Sequence, residues 1–389
     1  MTPYRIPYGR QSINQTDIDS VMEVLTSPWL TQGPTIERFE KALADYCQAT
    51  YAVAVCNATA ALHIACLAAG LGPGDYLWTS PNTFVASANC GRYCGAEVDF
   101  VDIDPDTLNL DARLLADKLA IAKVAGNLPK VVVAVAFAGQ SCDMGAISQL
   151  SERYGFILIE DAAHGVGASY QGRPVGCGQY AAMTIFSFHP VKIITSAEGG
   201  MVLTNRMDFA ERLRRLRSHG ITSDPAQMKE ADTGLWYYQQ LELGFNYRMT
   251  DLHAALGLSQ LARLDTFIAR RRQLASRYNH LLAEVAVNLP VTQSGADSAW
   301  HLYVVRLQLS HIKLSQNQIF EALRAAGLGV NLHYIPVHLQ PYYRELGFKE
   351  GDFPEAERYF GEAISLPLYP DLTDEQQNEV VEILRQTLN

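Results

Sequence analysis

Lys192 and Asp161 are the two side chains of this sequence whose types and settings best suit covalent chemistry. Lys192 lies in the segment SFHPVK, in a turn flanked by proline and glycine, where an amine can act on a carbonyl group. Asp161 begins the segment DAAH, which also carries His164, so a carboxylate and an imidazole follow the apolar run FILIE. Each also has a simpler interpretation: the lysine as a surface charge, the aspartate as a cap and the histidine as a satisfied core residue.

Two further segments could hold a phosphate group and an aromatic ring. Residues 56–62, CNATAAL, form a turn of small residues that runs into a helix, and free N–H groups at a helix start suit a phosphate. A plain helix cap by Asn57 or Thr59 is the alternative. Residues 80–84, SPNTF, place Phe84 at the start of another helix, where a core aromatic residue is the usual explanation.

Seven short β-rich runs position these segments. The runs are nearly continuous apolar stretches separated in several places by helical patterns, and they cover 51–55, 76–80, 97–101, 130–137, 156–160, 182–186 and 200–204. Strands buried on both faces, with helices between them, predict a mainly parallel α/β sheet. In open sheets of this class ligands bind outside the carboxyl ends of the strands, which is where the four segments lie.

The combination of the four segments indicates one cofactor. A phosphate-binding turn, an aromatic ring, an acid and a lysine at neighbouring strand ends could all contact a single planar phosphorylated molecule. Pyridoxal phosphate needs a lysine for its Schiff base, an acid that keeps its pyridine nitrogen protonated, a stacking ring and a phosphate cradle. We therefore predict pyridoxal 5'-phosphate as the cofactor.

The second half of the chain differs from the first in composition and periodicity. The stretch 221–249 is polar and aromatic with little periodicity, which is typical of a binding or interface role, and a helical pattern runs from Thr250 to about residue 285. We predict a large cofactor-binding domain over 1–250, whose N-terminal segment packs on the small domain. A linking helix and a smaller C-terminal α+β domain would occupy 251–389.

The chain resembles the DegT-like sugar aminotransferases, a branch of the fold-type I pyridoxal-phosphate enzymes. DAAH, SFHPVK with the following TSAEGG, and GFNYRM carry the resemblance, which covers essentially the whole chain. It implies a fold-type I transferase with a mainly parallel seven-stranded sheet. Lys192 would then form the Schiff base and move a proton between the two carbons that flank the nitrogen, and Asp161 would pair with the pyridinium nitrogen.

The resemblance also implies the remaining contacts to the cofactor. Ser187, Thr59 and the backbone of Ala60 would hold the phosphate. Phe84 would stack on one face of the ring and His164 would support the other. Asn246, in GFNYRM, matches a position that the neighbouring subunit donates to the phosphate, so the resemblance implies a homodimer with shared active sites.

Four residues are implied on the substrate side of the site. Arg248 would meet an anionic group of the substrate. His301 in WHLYVVR, and His333 and His338 in HYIPVHLQPYY, resemble positions that line the sugar-nucleotide side, although fold or interface packing explains these histidines equally well.

Two residues depart from the family pattern. Family members often carry histidine at the position of Ala136 and glycine at that of Ala197, and neither difference removes a catalytic group. The lysine is retained. Because some relatives carry a histidine in its place and act as sugar dehydratases, Lys192 favours transamination.

Within the family, the segments IPYGRQSINQTDIDSVMEVL, LTQGPTIERFE and SPNTFVASANC resemble a branch that acts in pseudaminic acid biosynthesis. This likeness implies amino transfer, with glutamate as the donor, to C4 of a UDP-linked 4-keto-6-deoxy-N-acetylhexosamine. A different nucleotide-linked keto sugar, aminated at C3 or C4, is the alternative, followed by a pyridoxal-phosphate-dependent sugar dehydratase.

Composition excludes several other classes of function. A formal net charge of -10 argues against nucleic acid or an anionic membrane as a partner, since both need clustered positive charge. The start of the sequence lacks the layout of a secretory signal, so we expect a cytoplasmic protein. Seven cysteines without a CxxC pair support neither a disulfide framework nor a metal site.

Overall fold

The N-terminal region contributes one short strand and two helices. A computed structural model describes residues 4–230 and 234–388. The first elements are β1 (Ile6–Pro7), α1 (Gln15–Leu25) and α2 (Pro34–Cys47). Helix α1 starts where the sequence offers a capping box: the Asn14 side chain accepts from the Asp17 N–H, and the Asp17 carboxylate accepts from the Asn14 N–H.

A seven-stranded sheet forms the centre of the molecule, with helices on both of its faces. The elements of this region, in chain order, are β2 (Tyr51–Val55), α3 (Ala58–Ala68), β3 (Tyr76–Thr79), α4 (Ala86–Tyr93), β4 (Glu97–Phe100), α5 (Ala112–Ala125), β5 (Val131–Val135), α6 (Met144–Tyr154), β6 (Ile157–Asp161), β7 (Ser169–Tyr170), β8 (Arg173–Pro174), β9 (Met183–Ser187), β10 (Gly200–Thr204) and α7 (Met207–Arg217). The seven long strands confirm the seven predicted runs.

The strand order of this sheet is β2-β10-β9-β6-β5-β3-β4. Strand β10 runs antiparallel to both of its neighbours, and the other pairings are parallel. Alternate residues of one strand enter separate core clusters: Val133 and Ile159 pack on one face, and Val132 and Leu158 on the other. Burial on both faces is the reason why the strands read as unbroken apolar runs. The predicted mainly parallel α/β fold is therefore confirmed.

The region after α7 contains the irregular segment and two helices. Two-residue strands, β11 (Ile221–Thr222) and β12 (Gln239–Gln240), pair with each other, and α8 (Asp251–Leu261) and α9 (Leu264–Leu281) follow. The predicted single linking helix is thus two helices. The break falls at Arg263, whose backbone leaves the helical region and whose guanidinium binds the buried Asp17 and the Ser12 carbonyl.

The C-terminal part is a small α+β unit. Its elements are β13 (Val287–Asn288), β14 (Ala296–Asp297), β15 (Tyr303–Leu307), α10 (Gln316–Ala325), β16 (Leu328–Gly329), α11 (Pro341–Glu345), α12 (Pro354–Glu362), β17 (Ala363–Leu366) and α13 (Asp374–Leu388). Strands β13, β15 and β17 form an antiparallel sheet, and β1 pairs in parallel with β16. The domain boundary at residue 250 stays a prediction. Over the described ranges, no helix is both long and apolar enough to cross a membrane.

Candidate active site

An open cleft of about 1250 Å³ lies at the carboxyl ends of the central strands and against the C-terminal unit. It brings together eight of the twelve residues that the sequence singles out: Thr59, Phe84, Asp161, His164, Ser187, Lys192, His301 and His333. These residues come from six separate segments of the chain, so the fold and not the spacing in sequence makes them neighbours. The place agrees with the rule that ligands of open α/β sheets bind beyond the strand ends.

Asp161, the last residue of β6, is buried and held by two hydrogen bonds. The Ser87 hydroxyl donates to Asp161 Oδ2 at 2.6 Å, and the Ala163 backbone N–H donates to Oδ1 at 3.1 Å. Burial raises the pKa of the carboxyl, whereas these two donors and the charge of Lys192 lower it. Each carboxylate oxygen has two lone pairs, so Asp161 can still accept a hydrogen bond from a ligand in the cleft.

Lys192 lies in the turn after β9, where its backbone N–H donates to the His189 carbonyl at 2.9 Å. Burial lowers the pKa of the amine to about 8, and the opposing charge of Asp161 limits the fall. A lysine with this pKa has a substantial neutral fraction near pH 8, which is the form that attacks a carbonyl carbon. The interpretation of Lys192 as a solvated surface charge is therefore wrong.

The start of α3 and the end of β9 flank a glycine. Gly200 pairs with Val55 on one side and with Ser187 on the other. A Cβ atom on Gly200 would lie 2.6 Å from the Ala58 nitrogen, so only glycine lets β10 pass this close to the first turn of α3. The close approach brings the Ser187 hydroxyl and the first turn of α3 to the same part of the cleft.

Three buried histidines form the opposite wall of the cleft. The rings of His164 and His301 have centroids 4.3 Å apart, and Nδ1 of each is buried without a hydrogen-bond partner. His333 is engaged on both nitrogens, with the Ser365 hydroxyl at 2.8 Å and the Asn331 amide at 3.3 Å. Burial, reinforced by Lys192, lowers the pKa of His333 to about 4 and that of His164 well below its usual value. The same two causes, with neighbouring cations, lower the pKa of His301. All three imidazoles are therefore neutral at pH 7.

Gly139 makes this histidine pair possible. Its φ of +102° is one that side chains disfavour, and a Cβ there would lie 2.9 Å from the backbone nitrogen of His301. Ala197 has a φ of +65° and keeps this left-handed conformation without being glycine, at a cost of about 1 kcal/mol. Its family position is often glycine, which fits the observed backbone. Ala136 is buried in the core cluster that also contains Ala162 and Val166.

Four of the predicted site residues lie outside the cleft. Ala60 is buried in α3, and its N–H donates to Asn57 Oδ1 at 2.8 Å, so in this conformation that N–H serves the helix cap. The phosphate contact from the Ala60 backbone stays a prediction. His338 is fully buried and pairs with Glu357 at 2.8 Å, packed against Phe353, so its predicted place on the substrate side is wrong. Its neighbours show that it fixes the 337–357 region.

The other two predicted residues that lie outside the cleft of their own chain are Asn246 and Arg248. Asn246 forms an isolated antiparallel bridge with Ser218. The family resemblance places Asn246 in the site of a neighbouring subunit, and a single chain does not test that role.

The sequence reasoning missed Ser87, Tyr334 and Tyr8, which also line the cleft. The Tyr334 hydroxyl lies 3.1 Å from His164 Nε2, and its ring lies 6.2 Å from that of Phe84. Two signals in the sequence could have found Ser87 and Tyr334. Ser87 follows Thr83 by four residues, one helical turn, and Tyr334 is adjacent to His333.

The residues of the cleft fit pyridoxal phosphate. Asp161 has a free acceptor position, and Lys192 is a half-buried amine whose charge acts on it. The Ser187 and Thr59 hydroxyls line the cleft together with the start of α3 near Gly200. Phe84 keeps a side chain 56% exposed toward the opening, where a flat ring can stack. Over the described ranges, no group of three or more His, Cys, Asp or Glu side chains could hold a metal ion.

Comparison with known proteins agrees with the site. Residues 11–385 match the DegT/DnrJ/EryC1/StrS aminotransferase family, and the chain belongs to that family. The spore coat polysaccharide biosynthesis protein SpsC of Bacillus subtilis (strain 168) is 39% identical over 383 residues, which cover 98% of this chain and 96% of that protein. The fold is a fold-type I aminotransferase fold, and the cofactor is pyridoxal phosphate.

Two solved structures are similar over nearly their whole length. The putative sugar aminotransferase Spr1654 from Streptococcus pneumoniae, in its PMP-form, has a TM-score of 0.89 and 30% identity, covering 98% of this chain and 99% of that one. Helicobacter pylori PseC, an aminotransferase involved in the biosynthesis of pseudoaminic acid, has a TM-score of 0.88 and 27% identity, with 98% and 99% covered. This chain is thus a pyridoxal-phosphate-dependent aminotransferase of the sugar aminotransferase family.

Proposed function

We propose that this protein transfers an amino group from glutamate to C4 of a UDP-linked 4-keto-6-deoxy-N-acetylhexosamine, as a UDP-4-amino-4,6-dideoxy-N-acetyl-β-L-altrosamine transaminase of pseudaminic acid biosynthesis. Lys192, which shares the cleft with Asp161 and has a lowered pKa, carries the amino-transfer part of the proposal. Similarity to PseC, together with the N-terminal segments, supports the choice of sugar.

A second candidate is amination of another nucleotide-linked keto sugar, at C3 or C4. The higher identity to SpsC, a spore coat polysaccharide biosynthesis protein, favours it. The two candidates share the same chemistry at Lys192 and differ only in which sugar the cleft selects.

Lys192 Nζ performs the proton transfers in the proposed reaction. Its lowered pKa lets the amine be neutral when it must take a proton from carbon, and the resulting ammonium can return that proton to the neighbouring carbon. The neutral imidazoles of His164 and His333 beside it add no competing positive charge.

Asp161 stays anionic to keep the cofactor's pyridine nitrogen protonated. Ser87 and the Ala163 N–H stabilise the anion, and Lys192 adds a favourable charge. When bound, pyridoxal phosphate supplies a ring that withdraws electrons from the reacting carbon. Thr59 and Ser187 would hold its phosphate, with Phe84 and His164 on its two faces.

The C-terminal wall of the cleft would bind the sugar. Tyr8, His301 and Asn331 present neutral hydrogen-bonding groups there, and His333 contacts the Asn331 amide and so helps to hold it in place. Uncharged donors and acceptors suit the hydroxyl, keto and amide groups of an N-acetylated sugar. Binding energy from the remote nucleotide would place the keto carbon near Lys192.

A homodimer would complete each site. Asn246 and Arg248 lie outside the cleft of their own chain, and the neighbouring segment exposes large apolar side chains: Leu235, Trp236, Tyr238 and Leu243. Exposed apolar side chains concentrated in one segment are typical of an interface. We propose that this segment packs on a second copy and brings Asn246 to the partner's cofactor phosphate.

A panel of substrates tests the proposed reaction. Purified protein with pyridoxal phosphate and ¹⁵N-glutamate is incubated with UDP-, GDP- and dTDP-linked 3-keto and 4-keto sugars, and the products are analysed by mass spectrometry. We expect ¹⁵N in the 4-amino product of the UDP-linked N-acetylhexosamine. Incorporation only into a 3-amino sugar or only into another nucleotide's sugar would support the second candidate, and a deoxysugar without nitrogen would overturn both.

Mixed dimers test the shared site. Lys192→Ala and Asn246→Ala are co-expressed with different tags, each variant alone serving as the control. If Asn246 acts in the partner's site, a mixed dimer has one site with both lesions and one intact site, so a random mixture regains about one quarter of wild-type activity. A mixture as inactive as the single variants would contradict the shared site.

A further inference from the structure

We propose that Thr83 and Ser87 are positioning residues whose hydroxyls form a directed hydrogen-bond chain to Asp161 and so keep the cofactor's pyridine nitrogen protonated. The chain has two links. Thr83 Oγ1 and Ser87 Oγ lie 2.8 Å apart, and Ser87 Oγ lies 2.6 Å from Asp161 Oδ2. The inference rests on the proposed pairing of Asp161 with the pyridine nitrogen.

The chemistry of the three groups fixes the direction of the chain. An ionised carboxylate only accepts hydrogen bonds, so the single hydroxyl proton of Ser87 must point to Asp161. Ser87 Oγ then has no proton for Thr83 and must accept from Thr83 Oγ1. Each donation polarises the next, and the 2.6 Å distance is that of an O–H···O bond to a charged acceptor.

Neighbouring contacts hold the two hydroxyls in place. Thr83 and Ser87 are 2% and 1% exposed, so water does not replace either hydroxyl. The Asn82 amide before them donates to the Leu108 carbonyl at 3.2 Å, and Asn89 after them accepts from the Tyr343 hydroxyl at 2.8 Å. The first turn of α4 is therefore anchored on both sides of the chain.

The carboxylate needs this support because its surroundings oppose a buried charge. Burial is the largest influence on the pKa of Asp161 and raises it, while Ser87, the Ala163 N–H and Lys192 lower it. The other ionisable groups around it are Glu160, which precedes it on β6, and Tyr334 and His164 in the cleft. Because His164 and Tyr334 are both neutral at pH 7, Ser87 is one of few groups that favour the anion.

The test measures the protonation of the pyridine nitrogen directly in the holoenzyme. Pyridoxal phosphate labelled with ¹⁵N in its ring is bound to the protein, and the ¹⁵N chemical shift is followed against pH by NMR. Ser87→Ala should lower the pH at which the nitrogen loses its proton by about one unit, a tenfold change. Thr83→Val should lower it by less, and Thr83→Val/Ser87→Ala should equal Ser87→Ala alone, since the links act in series.

Matched variants separate orientation from folding. Ser87→Thr and Thr83→Ser keep the hydroxyls and should restore the wild-type midpoint, and circular dichroism verifies the fold of each variant. A Ser87→Ala midpoint equal to wild type, or additive effects of the two changes, would overturn the inference. Asp161→Asn separates the role of Asp161 from that of the hydroxyl chain. If Asp161→Asn also leaves the midpoint unchanged, the proposed role of Asp161 fails. If only Ser87→Ala leaves it unchanged, the hydroxyl chain alone fails.

Discussion

Glu160 and Asp161 are adjacent buried carboxyls on β6 that face opposite sides of the sheet. Asp161 opens onto the cleft, with Ser87, the Ala163 N–H and Lys192 around it. Glu160 faces the other side, where Ser141 donates to Oε1 at 3.0 Å and Thr184 to Oε2 at 3.4 Å. Burial raises the pKa of Glu160 to about 7, and the two hydroxyls only partly offset this. The two side chains share burial and residue class, so the difference between them lies in access and in a nearby cation.

That difference separates a group that can act from one that is only enclosed. Burial perturbs both carboxyls, so a perturbed pKa by itself does not identify a functional residue. Asp161 has a cleft for a ligand, a free acceptor position and an amine opposite. Glu160 lines only a smaller, separate cavity, and no cation is among the influences on its pKa. Substitutions at Asp161, on the cleft face, should therefore affect activity, and substitutions at Glu160, on the other face, should affect stability.

The largest effect is expected at the amine of the cleft. Lys192→Ala removes the group that binds the cofactor and moves the proton, so we expect transamination to fall on the order of 1,000-fold or more. The variant should also lose the visible absorbance of the lysine-bound cofactor. Lys130→Ala, a surface lysine paired with Asp75, is the control and should keep both properties. Retained absorbance and activity in Lys192→Ala would refute the assignment.

The next effect compares the two carboxyls directly. Asp161→Asn removes the charge that faces the cleft and should lower turnover between about 100- and 1,000-fold. Glu160→Gln makes the matched change on the other face and should keep activity within about twofold, since Glu160 contacts no ligand. Steady-state rates at saturating cofactor measure both. Equal losses in the two variants would show that the faces are not functionally distinct.

The pH dependence of stability should be altered by Glu160→Gln, the variant expected to leave activity unchanged. The folded pKa of Glu160, about 7, lies above its usual value, so the folded state keeps a proton that the unfolded state releases. This contribution to stability is present at low pH and is lost as pH rises toward 7. Relative to wild type, Glu160→Gln should therefore gain about 2 kcal/mol of unfolding free energy between pH 5 and pH 8. Urea denaturation at both pH values measures it, and a constant difference would contradict the raised pKa.

The smallest effect is expected from Ser141→Ala. It removes one hydrogen bond to Glu160 and should lower the free energy of unfolding by about 1 kcal/mol, more at pH 8 than at pH 5 because the acceptor is then charged. Activity should not change. Ser87→Ala is its counterpart on the cleft face, where the loss should appear in the cofactor and not mainly in stability.

Much of the fold could be predicted because the relevant signals are local. The seven buried strands appear as apolar runs, and their order along the chain with intervening helices defines the α/β class. Eight of the predicted site residues also share the cleft. Six of them lie at or just after the carboxyl ends of central strands, and parallel strands end at the same edge, whereas His301 and His333 come from the C-terminal unit. The antiparallel direction of β10 and the break at Arg263 were not predictable, because both depend on contacts with distant segments.

What could not be predicted at the site has a common physical cause. His338 shares a segment with His333, yet it turns away to Glu357, while Tyr334 points to His164. The N–H of Ala60 donates to the Asn57 side chain. A motif gives the order of residues, but the direction of each side chain depends on what packs beside it.

The sequence by itself determined the class of this protein: the apolar runs, the lysine and aspartate after two of them, and the motifs of the family. Only the tertiary structure decided which side chains meet. It assigned Asp161 to the cleft and Glu160 to the interior, turned Ser87 toward the carboxylate, and gathered three neutral histidines around Lys192. The reason is that alternation along a strand sends neighbours to opposite faces, and the chemistry of each is then set by residues far away in the chain.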